Sequence, residues 1–206
     1  MKDVIVNFKV YLPLVLGVAA LLLHTACSDN FTGQTVTSNQ ENITGSWLLS
    51  CYSDGGNGAE FTLNFSGELA WTIENWLGDT ACRGASDWSW NGNTDITFVG
   101  TNTVSGVTVS RYNWLDTAQT AKTNNDAATE EFVATGAFGT TNWSTDVGRN
   151  VLGVAVSGGS EATSGKGIIY VDTSVSPNEI WLGDEDGALD SSDYPISLGD
   201  GPYRKQ

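Results

Sequence analysis

Carboxylates are the chemically capable groups in which this chain is richest. Asp184, Glu185, Asp186, Asp190 and Asp193 fall in one short segment, and Asp200 follows closely. Oxygen ligands at that density suit a hard cation such as calcium, with Asp184, Asp186 and Asp190 as the candidate set. The segment is out of EF-hand register, because with Gly187 at the turn position the first ligand would fall on Leu182. Gly183 and Gly187 support the competing reading of a solvated hairpin turn that needs no metal. Two carboxyls could also cleave a glycosidic bond, and such acids can lie far apart in sequence. No two acids here stand out as that pair. Other catalytic sets lack their parts. The one histidine, His24, sits in an N-terminal apolar stretch, so the rest of the chain has no imidazole for a triad, a zinc site or a general base near neutral pH. No Gly-rich phosphate loop or Cys-x-x-Cys motif occurs, and no cofactor is implied.

Tryptophan is the second excess: Trp47, Trp71, Trp76, Trp88, Trp90, Trp114, Trp143 and Trp181. Indoles lining a cavity can hold an apolar ligand, and indoles on a rim can stack on sugar rings or face a partner. Trp47 and Trp71 read as core. Trp76, Trp88 and Trp90 flank a cysteine-bearing loop and are the candidate ligand-binding residues. Arg83 and Arg111 are rare cations in an acidic chain, and pairing with a carboxylate is the expected role of each. The formal charge is −15; without residues 1–26, which carry Lys2, Lys9 and Asp3, it becomes −16. Such a surface repels nucleic acid and anionic headgroups, so neither is an expected partner.

Residues 1–26 have the form of an export signal. Lys2 and Lys9 stand near the start, and Tyr11 to Leu23 is almost wholly apolar, about thirteen residues where a bilayer span needs ~20. Leu23-His24-Thr25-Ala26-Cys27 follows, and here the chain resembles a bacterial lipoprotein, in which small residues precede a cysteine that is acylated. His24 departs from the pattern, since leucine usual at its position sits one residue earlier. The resemblance implies lipidation of Cys27 and attachment to a membrane. Ser28, where an aspartate would resemble an inner-membrane retention signal, implies the outer membrane of the envelope. With Cys27 acylated, Cys51 and Cys82 remain to pair with each other, in keeping with an oxidising compartment. Residues 27–44 are polar and aperiodic, and are expected to form a flexible tether.

The remainder, 45–206, reads as one β-domain. Glycine, serine, threonine and asparagine abound, and runs of helix formers are missing. The clearest rhythm is a hairpin: Phe61, Leu63 and Phe65 alternate with polar residues, Ser66-Gly67 turns the chain, and Leu69, Trp71 and Ile73 resume. Ser46–Tyr52 precedes it as a strand. Trp88 and Trp90 share a face before an Asn91-Gly92 turn. Further strands are expected at 94–99, 104–115, 132–138, 151–156, 167–171 and 179–182, with 202–205 as a closing one. Residues 116–129 are polar and hold the one plausible helical turn, in AQTAKTNNDAATEE, but are expected to be largely irregular. Such a series fits an antiparallel barrel or a sandwich, and periodicity does not choose between them.

GSWLLSC, a hairpin, then WLGDTAC resembles a group of secreted bacterial lipocalin-like proteins. These open on Gly-x-Trp and place a second cysteine after an aromatic strand and an aspartate. IWLGDEDGALDSSDYPISL with PYRKQ is similar to that group's closing hairpin and last strand. The resemblance implies an antiparallel lipocalin-like barrel of about 8–10 strands, with Trp47 plugging one end. It lends no reaction. The resulting expectation is a non-enzymatic, lipid-anchored protein binding a small apolar or glycan ligand. The alternatives are a surface interaction or envelope-structural protein and, more remotely, a carboxylate-pair hydrolase.

Overall fold

Alternating apolar and polar side chains leave one face of each segment seeking cover, and the chain provides it by closing its sheet on itself. A computed structural model describes residues 43–54, 56–184, 187–199 and 201–206. The signal, lipidation and tether readings, Cys27 included, fall on residues 1–42 or at the boundary with them, and so lie outside the described residues apart from Ile43 and Thr44.

Among the described residues, nine strands and an α-helix are arranged as β1 (Gly45–Asp54), β2 (Asn57–Phe65), β3 (Leu69–Trp76), β4 (Trp88–Val104), β5 (Val107–Thr123), α1 (Asp126–Thr135), β6 (Arg149–Asn150), β7 (Ser164–Asp172), β8 (Glu179–Leu182) and β9 (Tyr203–Lys205). Every pairing is antiparallel. Eight strands form a closed barrel: β1 to β5 pair in sequence, β5 pairs with β7, and β7, β8 and β9 lead back to β1. The short β6 lies outside the ring against β5. Closure removes the open edges a sandwich would keep. The all-β barrel is therefore the architecture.

Inside and outside follow the expected rhythm. Ala59, Phe61, Leu63 and Phe65 of β2 and Leu69, Trp71 and Ile73 of β3 are buried, while Glu60, Thr62, Asn64, Thr72 and Glu74 lie towards the outer face. Among the described residues no helix is long and apolar enough to cross a membrane. Trp47 is fully buried; its indole N–H donates to the Ile43 carbonyl at 2.6 Å, and the Lys205 ammonium sits 5.2 Å from its ring. Cys51 and Cys82 form the expected disulfide, tying β1 to the segment between β3 and β4.

Several local expectations give way. Asn91-Gly92 is not a turn but the middle of β4, where Gly92 lies opposite Trp71; a Cβ there would run into the indole and the Ala118 carbonyl. The turn comes later, at Ser105-Gly106, both with positive φ, as a two-residue hairpin favours. The expected strand over 104–115 therefore runs through a reversal. The polar stretch after Asp116 continues β5 as far as Thr123, because β4 supplies its ladder partners. Residues 132–138 are not a strand: Phe132 belongs to α1 and Phe138 to a 3-10 turn, Ala137–Gly139. Residues 151–156 form a loop closed by a single bridge, Val154 to Ser160, and β6 before them was not expected.

Candidate functional site

The three candidate tryptophans do not converge on an open surface. Trp90 is fully buried, and Trp76 and Trp88 are nearly so. The cause is α1 and the turn after it, which close the barrel end where β3 finishes and β4 begins. Asn125 caps this helix: its side chain accepts the Ala128 N–H at 2.8 Å and donates to Asp87 at 2.6 Å. The helix then presents Phe132 edge-on to Trp88 and Trp143, with centroids 5.2 and 5.0 Å apart, while Phe138 meets Trp90 at 5.3 Å. Trp76 donates to the Gly84 carbonyl beside the disulfide loop. These rings form an aromatic plug.

Towards the opposite mouth the wall is apolar. Leu63, Phe65, Leu69, Ile96, Phe98, Tyr112, Ile169 and Leu182 line a partly open cleft with about 10 Å³ of room for the centre of a water-sized sphere. That is about the room of one water, and the surface lining it is wholly apolar. Ile96 is only partly buried and stands at the edge of the core. Two glycines shape this region: Gly167 opposite Tyr112 and Gly165 opposite Trp114, each where a Cβ would strike the facing ring. The rings lie over bare backbone instead.

Between plug and cleft the barrel holds a polar group that sequence reasoning did not single out. Asp116 of β5 is 2% exposed. The Trp71 indole donates to Thr94 at 3.0 Å, Thr94 donates to Asp116 at 2.8 Å, and the Gln119 amide donates to the other Asp116 oxygen at 2.7 Å. Burial pushes the Asp116 carboxyl up to about 7, reinforced by the nearby Glu161 charge and opposed by the Thr94 and Gln119 hydrogen bonds. Burial alone pushes Glu161 up to about 7 as well. Both Glu161 carboxyl oxygens are shielded from solvent and have no hydrogen-bond partner. The only sequence signal was an aspartate at an inward position of an alternating strand. The bulge at Asn93/Thr94, which brings Asp116 opposite Thr94, is not legible locally.

The acidic C-terminal segment has other commitments. Asp190 accepts the Ser192 and Tyr194 N–H groups and pairs with Arg111, whose guanidinium also lies 4.8 Å from the Tyr194 ring. Those backbone donors first, then Arg111 and Lys166, hold the Asp190 carboxyl below the usual range. Asp184 accepts from Ser197 at 3.3 Å. Asp186 lies outside the described residues. Arg83 lies near Asp79, whose carboxyl accepts the Ala81 and Arg83 backbone N–H groups. No protein-family model and no curated protein matches the chain, so function rests on geometry.

Proposed function

We propose that this protein is a lipid-anchored envelope barrel that works by binding, and that its ligand is a small apolar group rather than a glycan. The observation that carries the reading is the apolar cleft at the mouth, walled by eight side chains drawn from six strands, β2, β3, β4, β5, β7 and β8. Apolar lining with room for few water contacts favours hydrocarbon over a sugar. A glycan would want exposed indoles, and Trp76, Trp88 and Trp90 are spent on the plug. The resting space is small, so an entering chain displaces the half-open Ile96. The signal-like N-terminus and Cys27 support an address at the bacterial outer membrane, with the lipid as its partner there.

The test is native mass spectrometry of the mature protein purified from its host, followed by titration with a fluorescent polyene fatty acid. A reproducible adduct and saturable binding, both lost when Ile96→Trp fills the mouth, are the expected results. A bare mass with no saturable binding in either protein would overturn the carrier reading. A second reading, an interaction or structural protein with no small ligand, draws on the filled opposite end, and that same negative result would favour it.

A further inference from the structure

We propose that Asp116, Gln119 and Glu161 form a buried site for a hard divalent cation of the calcium class. The loop from Val151 to Thr163 is strapped across one stretch of β5 at both ends. The Val151 N–H donates to the Gln119 carbonyl at 3.0 Å, and the Asp116 N–H donates to the Thr163 carbonyl at 2.9 Å. Within the loop the Glu161 N–H donates to the Gly153 carbonyl at 3.0 Å, beside the Val154–Ser160 bridge. Glu161 is thereby held two residues from the point where the loop joins Asp116, and its charge acts on Asp116.

What is unsatisfied there is all oxygen. Gln119, 1% exposed, turns its amide N–H to Asp116 and leaves its carbonyl oxygen without a partner. Glu161 leaves two more oxygens in the same condition. A buried polar group without a partner is costly, and a buried carboxylate more so. The usual remedy, a cationic partner, is not in place: among the described residues no ion pair involves either carboxyl. Two carboxylates and an amide oxygen, without nitrogen or sulfur, form a hard-cation donor set rather than a zinc set. The site is distinct from the acidic segment around Asp190, where an arginine already supplies the positive charge.

Because the ion competes with protons for the Asp116 and Glu161 carboxylates, its affinity rises with pH. Each displaced proton contributes about tenfold per pH unit below 7. The experiment uses chelator-treated mature protein, titrated with calcium at pH 8 and pH 5.5, with melting temperature and heat as readouts. Terbium emission sensitised by tryptophan adds a second readout, since Trp71 is hydrogen-bonded through Thr94 to Asp116. The expected result is saturable binding and a raised melting temperature at pH 8, at least tenfold weaker binding at pH 5.5, and loss of both in Glu161→Gln. Asp184→Asn should bind as the parent does. Absence of binding at pH 8 would overturn the proposal, as would equal binding by Glu161→Gln. Glu161→Gln removes charge at constant shape, and is expected to fold and to melt higher than the parent in chelator at pH 8. A lower melting temperature there would show that the Glu161 charge already has a partner, and would count against the site.

Discussion

At the scale of single residues, the interior is built by glycines that accept aromatic rings. Gly92, Gly165 and Gly167 face Trp71, Trp114 and Tyr112 across paired strands. Each ring occupies the space a side chain would need. Gly167→Val is therefore expected to cost about 2–3 kcal/mol by overpacking, measured by urea unfolding. Gly159→Ala, where a Cβ meets nothing within 4 Å, should stay within about 0.5 kcal/mol. Thr94→Val strips a donor from Asp116 and an acceptor from Trp71. Its cost should be about 2 kcal/mol and larger at pH 8 than at pH 5, since the lost donor favours the charged carboxylate. Little of this was legible in the sequence. Asn91-Gly92 carries a strong local turn signal, and only the indole arriving from β3 makes the glycine a strand residue.

At the scale of elements, α1 decides which tryptophans are accessible. Asn125 both caps the helix and ties it to Asp87. Asn125→Ala should cost about 1–2 kcal/mol, with faster amide exchange across Asp126–Thr135 than in the barrel strands. If exchange rises uniformly, the plug is not a separable unit. The helix was missed because its signals are short and its neighbours polar. Asn125, Asp126 and Gly136 mark a cap, an acidic first turn and a left-handed stop, yet Phe132 and Phe138 invite a strand reading. The hairpin from Phe61 to Ile73 was legible because both faces of its alternation are kept in the fold.

For the whole molecule, the buried carboxyls set a pH dependence of the less usual sign. Asp116 and Glu161 have ordinary values of 3.8 and 4.5 and folded values of about 7. The folded state holds these protons more tightly than the unfolded chain, so stability falls as pH rises from about 4 to 7 and levels above that. The loss should be several kcal/mol in order of magnitude, read from urea midpoints in chelator at pH 5 and pH 8. Asp79, Asp172 and Asp190, with lowered values, act oppositely, and their contribution disappears as pH falls through and below 3.8. Flat stability from pH 4 to 8 would show that the pair is not buried as described. Reducing Cys51–Cys82 should separately cost about 3–4 kcal/mol. The all-β class was readable from repeated short alternating runs. Closure was not, because it depends on the three residues of β9 meeting a strand more than 150 positions earlier.

That last contact has a consequence for the order of events during synthesis. β9 joins β8 to β1 through Tyr203–Lys205, so the ring has no complete form until residue 205 is available. A growing chain can build the β1–β5 meander early, but it carries two bare edges, on β1 and β5, until β7, β8 and β9 have been made. Closure of this barrel is therefore timed by synthesis of the Tyr203–Lys205 strand rather than by emergence of the core.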